Sequence, residues 1–392
     1  MIEYFCYGDL SKIPKNTTHL IFGILFNQPV DNLPNSITHL TFGSHFNYPV
    51  DNLPNSITHL TFGANFNQPI DNLPNSITHL TFGVNFNQPV NNLPKSITHL
   101  TFGYTFNKPV INLPHSLIYL KFKKYFNQPI NNLPKSIKYL ILDCDFNHKI
   151  DRLPNSLTLL TLGHNFNKSV NKLPNSITHL IFDNCFNQKV NNLPNSITHL
   201  TFGYNFNRHV NNLPKSIIYL EFGHAFNQSI NNLPNSITHL TLGHNFNKPI
   251  NSLPHSITHL TLGDCFNCSI DNLPNSIIHL TFGNNFNKSI DKIINFVKIF
   301  KFNNSHIIFE TNKEKLSNKY IILEDSNIIY YQIGNFNIFS SKINTIKKIL
   351  ELQYFTHEIL LKKLTEYIFN PQRLIRYAEK YNLTVDEYLD FL

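Results

Sequence analysis

The twenty residues DNLPNSITHLTFGSHFNYPV at positions 31–50 return in phase down most of the chain. Leu-Pro falls at Leu33, Leu53, Leu73 and onward to Leu273, and Phe-Asn falls at Phe26, Phe46, Phe66 and onward to Phe286, with no slot skipped. A strict period of this size means that one unit cannot cover its own apolar face and must stack on its neighbours. The length of 392 residues therefore predicts one long array and one small terminal domain, not several globular domains.

Within a unit the apolar positions are Leu33, Ile37, Leu40, Phe42, Phe46 and Val50, spaced 4, 3, 2, 4 and 4. That spacing fits neither a continuous helix nor a continuous strand, but it fits one turn of a coil. Leu40 and Phe42 supply a short period-2 element with both side chains inward, so His39 and Thr41 point out. Gly43 marks the end of that strand, and Pro34 and Pro49 exclude a helix interior from the return path. Fourteen units run from Ile13-Pro14 to Leu273-Pro274, and Val297, Phe300 and Phe302 repeat the inward pattern once more. Fifteen parallel strands at roughly 4.8 Å make an arc about 67 Å long.

Leu/Ile-x-x-Leu-x-Phe/Leu followed by a polar turn resembles the leucine-rich repeat. Phe-Asn-x-Pro-Ile/Val, as in Phe26-Asn27-Gln28-Pro29-Val30 and Phe66-Asn67-Gln68-Pro69-Ile70, is more specifically similar to the FNIP repeat, over residues 5 to 302. The expected fold is a mainly β solenoid: a leucine-rich-repeat-like parallel-sheet arc of about 15 coils of 20 residues, with a small α/β C-terminal cap. A left- or right-handed β-helix is the alternative architecture. The resemblance implies a repeat scaffold without established chemistry, of a type found in giant viruses and social amoebae, and so a role in host-virus interaction. Many proteins of this type place an F-box ahead of the array. Here the repeats begin by about Leu10, which leaves no room for one.

Residues 1–302 are read as the solenoid, with 1–9 as its N-terminal cap, and 303–392 as an α+β cap. Short strands are expected at Ser305–Phe309, Tyr320–Leu323, Ile328–Ile333 and Phe336–Phe339, amphipathic helix over 342–369, and further helix starts at Asn370 and Thr384. Hydrophobic content of 41% with 14% charged residues excludes disorder. Five cysteines without regular spacing, no basic and apolar leader and no long apolar stretch point to an intracellular, cytoplasmic protein with no membrane contact.

The net charge of +8 lies on the repeats, because residues 303–392 hold 11 Lys/Arg and 11 Asp/Glu. Ten bases between Lys108 and Lys172 against three acids make the middle of the array its basic zone. Such a zone attracts an acidic protein tail or nucleic acid, and it is equally the make-up of plain solvated surface.

Histidine fills the outward strand position at His19, His39, His59, His79, His99, His179, His199, His239, His259 and His279, with Tyr119, Tyr139, Tyr219 and Leu159 in the same slot, and this file of rings is either a candidate partner contact or a surface filler copied by unit duplication. Parallel rings do not converge on one point, so no metal is expected there. Departures from the repeat are local, and Tyr119, Lys121, Lys123, Lys124, Lys138 and Tyr139 cluster in two adjacent units as a candidate contact for a partner. The Asn after the second Phe, at Asn47, Asn67, Asn87, Asn107, Asn127, Asn147, Asn167, Asn187, Asn207, Asn227, Asn247 and Asn267, reads as a structural amide ladder joining buried backbone groups of successive turns. Cys265 and Cys268 form a lone pair, read as plain thiols, and no phosphate loop, zinc-protease helix or nucleophile elbow occurs. The sequence accordingly predicts a non-enzymatic protein-interaction scaffold with no cofactor, binding its partner on the concave sheet face. The alternatives are an anionic-polymer binder, a passive structural component, or an enzyme housed after residue 302.

Overall fold

The computed structural model describes residues 2–302, apart from 291, 294 and 298, and three later strand segments. The first strand is β1 (Glu3–Cys6), followed by a short 3-10 turn at Leu10–Lys12. One strand per coil follows, each coil taking the number of its strand: β2 (His19–Phe22), β3 (His39–Thr41), β4 (His59–Thr61), β5 (His79–Thr81), β6 (His99–Thr101), β7 (Tyr119–Lys124) and β8 (Tyr139–Cys144). The series continues as β9 (Leu159–Leu162), β10 (His179–Phe182), β11 (His199–Thr201), β12 (Tyr219–Glu221), β13 (His239–Thr241), β14 (His259–Thr261), β15 (His279–Phe282) and β16 (Ile299–Phe302).

Each strand pairs in parallel with the next, and the register is the repeat itself: His39 faces His59, Leu40 faces Leu60 and Thr41 faces Thr61. Inside, the equivalents of Ile37, Leu40, Phe42, Phe46 and Val50 are buried in coils 3 to 15 and form one continuous core. Phe46 is fully enclosed, stacked 3.9 Å from Phe42 of its own coil and 6.0 Å from Phe66 of the next. Burying a ring of this kind contributes on the order of 2 to 3 kcal/mol before chain entropy is counted.

Ring spacings reveal the curvature. Equivalent rings in adjacent coils lie 6.1 Å apart at Phe66 and Phe86, 5.7 Å at Phe62 and Phe82, and 4.1 Å at His59 and His79. Coils are therefore wedges, thinnest on the outer face of the sheet, and the stack bends with that face inside. If the His and inner Phe files are about one sheet-packing distance, ~10 Å, apart, the inner radius is roughly 20 Å.

Gly43 and its equivalents owe their place to close approach between coils. A Cβ at Gly83 would sit 1.8 Å from the Gly63 carbonyl oxygen, so any side chain forces the backbone elsewhere. Coils 7 and 8 carry Lys123 and Asp143 there. In those two the chain stays extended, β7 and β8 run six residues, and Lys123 pairs with Asp143 and Lys124 with Cys144 beyond the point where the other ladders stop. A single replacement has no such effect: Asp183 follows a four-residue strand in coil 10, the length also found before Gly23, Gly163 and Gly283, and its N–H donates to the Leu162 carbonyl at 2.9 Å.

At the N-terminal end β1 adds a further parallel strand, Glu3 facing His19. At the other end β17 (Tyr320–Leu323) pairs in parallel with β16, and β18 (Ile328–Ile333) and β19 (Phe336–Ile338) follow antiparallel. These three segments thus extend the same sheet. The strand expected at Ser305–Phe309 and the helices expected from 342 onward lie outside the described residues.

Candidate partner-binding face

The concave face presents two files of side chains. One is Thr41 and its equivalents; the other is the imidazole file, in which His39, His59, His79 and His99 continue from His19 with ring centroids 4.1 to 4.2 Å apart and near-parallel planes. Each ring is held by the residue before it. Thr38 Oγ1 lies 2.9 Å from His39 Nδ1 and donates toward the Thr18 carbonyl oxygen at 3.2 Å. The same arrangement recurs at His59, His79, His99, His179, His199, His239 and His259. A hydroxyl has one proton, so when that proton goes to the carbonyl the ring donates from Nδ1 and presents a bare Nε2 to solvent.

This packing disfavours charge. Burial, and after it the neighbouring imidazoles, hold His39, His59, His79 and His199 below the ordinary value of 6.5, and the same causes act on His239. His259 is pushed down to about 4, by burial first and then by His239 and His279. The face is thus a neutral, half-buried aromatic strip at neutral pH.

Two interruptions divide it. Tyr119, Tyr139 and Leu159 separate the five-His block from His179 and His199, which stack at 4.2 Å, and Tyr219 separates these from His239, His259 and His279. The coupling to threonine explains the pattern. Where the preceding residue loses its hydroxyl, at Ile118, Lys138 and Ile218, the ring is Tyr119, Tyr139 or Tyr219, with His279 after Ile278 as the exception. The correlation is one of sequence, but only the hydrogen bond gives it meaning.

The first interruption carries the Lys and Tyr cluster. Lys121 Nζ is tied to Asp143 Oδ2 at 2.7 Å, so its charge is matched. Lys123 Nζ lies 5.6 Å from the centre of the Tyr104 ring and Lys124 Nζ 5.2 Å from that of Tyr125, cation–π contacts on an exposed edge. Lys138 and Tyr139 are exposed at the opposite end of the strand pair, where Tyr139 faces Tyr119. Nothing in the sequence marks Tyr104 and Tyr125 as part of this cluster, because their slots vary freely from coil to coil. At the second interruption burial pushes the Glu221 carboxyl up, and burial followed by that carboxyl pushes Tyr219 up. Near it Tyr204, His224 and His244 make a shorter stack at 4.3 and 4.4 Å, closed by Asp264 Oδ2 at 2.8 Å from His244 Nδ1.

The asparagine file runs on a turn outside the core. Asn27 Oδ1 accepts from the Asn47 backbone N–H at 3.0 Å, and the step repeats without a gap to Asn267 and Asn287. All these side chains are exposed or half-buried, so the backbone groups they join are not buried ones, contrary to the expectation from sequence. Cys268 Sγ donates to Asn247 Oδ1 at 3.3 Å and so replaces the glutamine that plays that part elsewhere, as Gln228 does toward Asn207. Cys6, Cys185, Cys265 and Cys268 carry free thiols. Among the described residues no group of three or more His, Cys, Asp or Glu is placed to hold a metal, and no helix is long and apolar enough to cross a membrane.

Comparison with known proteins places this geometry. The solved structure of CroV588, described as a novel circular LRR protein, is 40% identical, with a TM-score of 0.51 over 76% of this chain and 61% of that one. YopM from Yersinia enterocolitica WA-314 is 18% identical, with a TM-score of 0.50 over 74% of this chain and 65% of its own, a likeness of fold alone. The chain thus spans less than two thirds of either relative. No curated protein matches the sequence. The FNIP Repeat pattern matches eleven times between residues 10 and 265, including 10–45, 66–105, 106–145 and 226–265. With the amide ladder, the Phe files and the leucine-rich-repeat-like sheet in hand, the conclusion is that this chain belongs to the FNIP repeat family.

Proposed function

We propose that this solenoid is a non-enzymatic scaffold that binds another protein on its concave sheet face, with Tyr119, Lys123, Lys124, Lys138 and Tyr139 at the centre of the contact. The reading is supported above all by the departure at coils 7 and 8. There Tyr139 stands exposed in the ring strip, and at the end of the lengthened strands Lys123 and Lys124 lie over the exposed rings of Tyr104 and Tyr125. Tyrosine is favoured in interface cores, while lysine suits a polar rim that meets acidic groups. The radius suits a folded domain or a helix better than a metabolite. Unpaired cysteines fit a reducing, intracellular setting.

Reading the basic middle as a nucleic-acid site is less well supported, since Lys121 is spent on Asp143 and Lys172 on Asp151 at 3.6 Å. Affinity capture from the native cell with the full chain, run beside a variant with Lys123→Glu, Lys124→Glu and Tyr139→Ala, tests the proposal. A protein retained by the parent and lost with the variant supports it. A recovered set that is the same for both, or that disappears on nuclease treatment, refutes it.

A further inference from the structure

A second concave surface lies away from the sheet. A groove of about 2140 Å³ runs along the Leu-Pro flank of coils 4 to 9, between Asp51 and Ser156. Its floor is the file of Leu53, Leu73, Leu93, Leu113, Leu133 and Leu153, which keeps 6 to 8% exposure where most other core files keep 0 to 3%. Three departures from the repeat meet in this one stretch. Lys95, His115 and Lys135 take the slot occupied by asparagine in Asn55, Asn75 and Asn155, and they lie in consecutive coils. Arg152 adds a further cation at that end, where the five preceding coils of the groove have Asn52, Asn72, Asn92, Asn112 and Asn132. Ile111 stands between Lys95 and Lys135, 61% exposed, where other coils have Asp or Asn. At the opposite end the lining is acidic, with Asp51 and Asp71 accepting from Asn72 and Asn92 at 3.1 and 3.0 Å.

We propose that this groove is a second binding site, for an extended acidic peptide segment of a partner protein that carries one apolar side chain among its acids. The occupant follows from the lining. Lys95, Lys135 and Arg152 match carboxylates. Ile111 and the leucine floor need an apolar anchor, and an isoleucine left in water at that spot gains by being covered. Asp51 and Asp71 close the far end to a uniformly negative polymer, which separates a peptide from a nucleic-acid backbone. Asparagine side chains along both walls offer donors and acceptors to an extended main chain. Six coils at roughly 4.8 Å give a length of about 24 Å, which holds about seven extended residues.

The test uses the full chain and a fluorescein-labelled synthetic peptide of about seven residues, with a lysine at one end and a leucine flanked by glutamates in the other half, read by fluorescence anisotropy. Saturable binding is expected, weakened about tenfold or more by Lys95→Glu with Lys135→Glu, and separately by Ile111→Asp. Lys123→Glu with Lys124→Glu, on the other face, is expected to leave it unchanged, so this site and the sheet-face site succeed or fail separately. All the substituted side chains lie at the surface, and circular dichroism of each variant confirms folding. Absence of saturable binding, binding that survives both sets of substitutions, or equal displacement by a single-stranded oligonucleotide would each overturn the proposal.

Discussion

Coils 3 to 6 and coils 7 to 8 share a period, a core and an amide ladder, yet present different surfaces for one local reason. In the first group Gly43, Gly63, Gly83 and Gly103 let successive backbones touch, and the strands stop after three residues. In the second, Lys123 and Asp143 cannot enter that contact, so the strands run on and carry Lys123 and Lys124 beyond the common edge. Losing the threonine hydroxyl at Ile118 and Lys138 goes with exchange of imidazole for phenol in the same coils. A repeat array thus makes a distinctive surface by relaxing two constraints in adjacent units while the interior stays in register.

The core offers the largest test of that view. Phe66 is stacked on Phe62 at 3.8 Å, whereas Phe146 has Leu142 in place of the strand Phe. Both rings are fully buried. Phe66→Ala and Phe146→Ala are each expected to lower stability by about 3 to 5 kcal/mol in urea unfolding, with Phe66 the costlier by about 0.5 to 1.5 kcal/mol for its lost ring pair. Equal losses would mean that within-coil stacking contributes nothing beyond area. Next in size is the glycine contact. Gly83→Ala drives a Cβ onto a carbonyl oxygen and is expected to cost about 1 to 3 kcal/mol. Lys123→Gly removes no such contact, and its expected effect is small, within about 0.5 kcal/mol.

Acid separates the two groups by charge. His39, His59 and His79 are held below 6.5 when folded, so the unfolded chain takes up protons first as pH falls. Stability is then full above 6.5 and lost progressively below it, and for His259 the loss continues to about 4. Coils 7 and 8 have no imidazole in this slot. Replacing His39, His59 and His79 by Tyr, on the pattern of Tyr119 and Tyr139, is expected to flatten the dependence of melting temperature on pH. A slope equal to that of the parent would place the acid sensitivity elsewhere.

Much of this is legible in the chain. The period dictates the coil, the alternation around Leu40 dictates the strand, and the inward or outward sense of each position follows from both. Gly43 reads as a strand end, but its cause, a neighbouring carbonyl about two ångströms from an absent Cβ, belongs to the stack and to no single unit. The Thr38 and His39 pair escapes a sequence reading because each residue has an ordinary surface role on its own. The Leu-Pro groove is hidden for a related reason: Lys95, Ile111 and Lys135 lie in different units and slots, and only the local concavity brings them together.

The amide ladder supplies the smallest effect and a sharp control, because its bonds cross both groups unchanged. Asn67 Oδ1 accepts from the Asn87 backbone N–H at 2.9 Å, and Asn147 Oδ1 accepts from the Asn167 backbone N–H at 3.0 Å. Because these bonds lie on half-exposed turns, water replaces much of what a deletion removes. Asn67→Ala and Asn147→Ala are each expected to cost about 0.5 to 1.5 kcal/mol, and by nearly the same amount. A much larger loss at Asn147 would mean that the ladder is what keeps coils 7 and 8 in register after their glycines are gone. In that case the contrast between the two groups would reach into the frame of the solenoid and not only its surface.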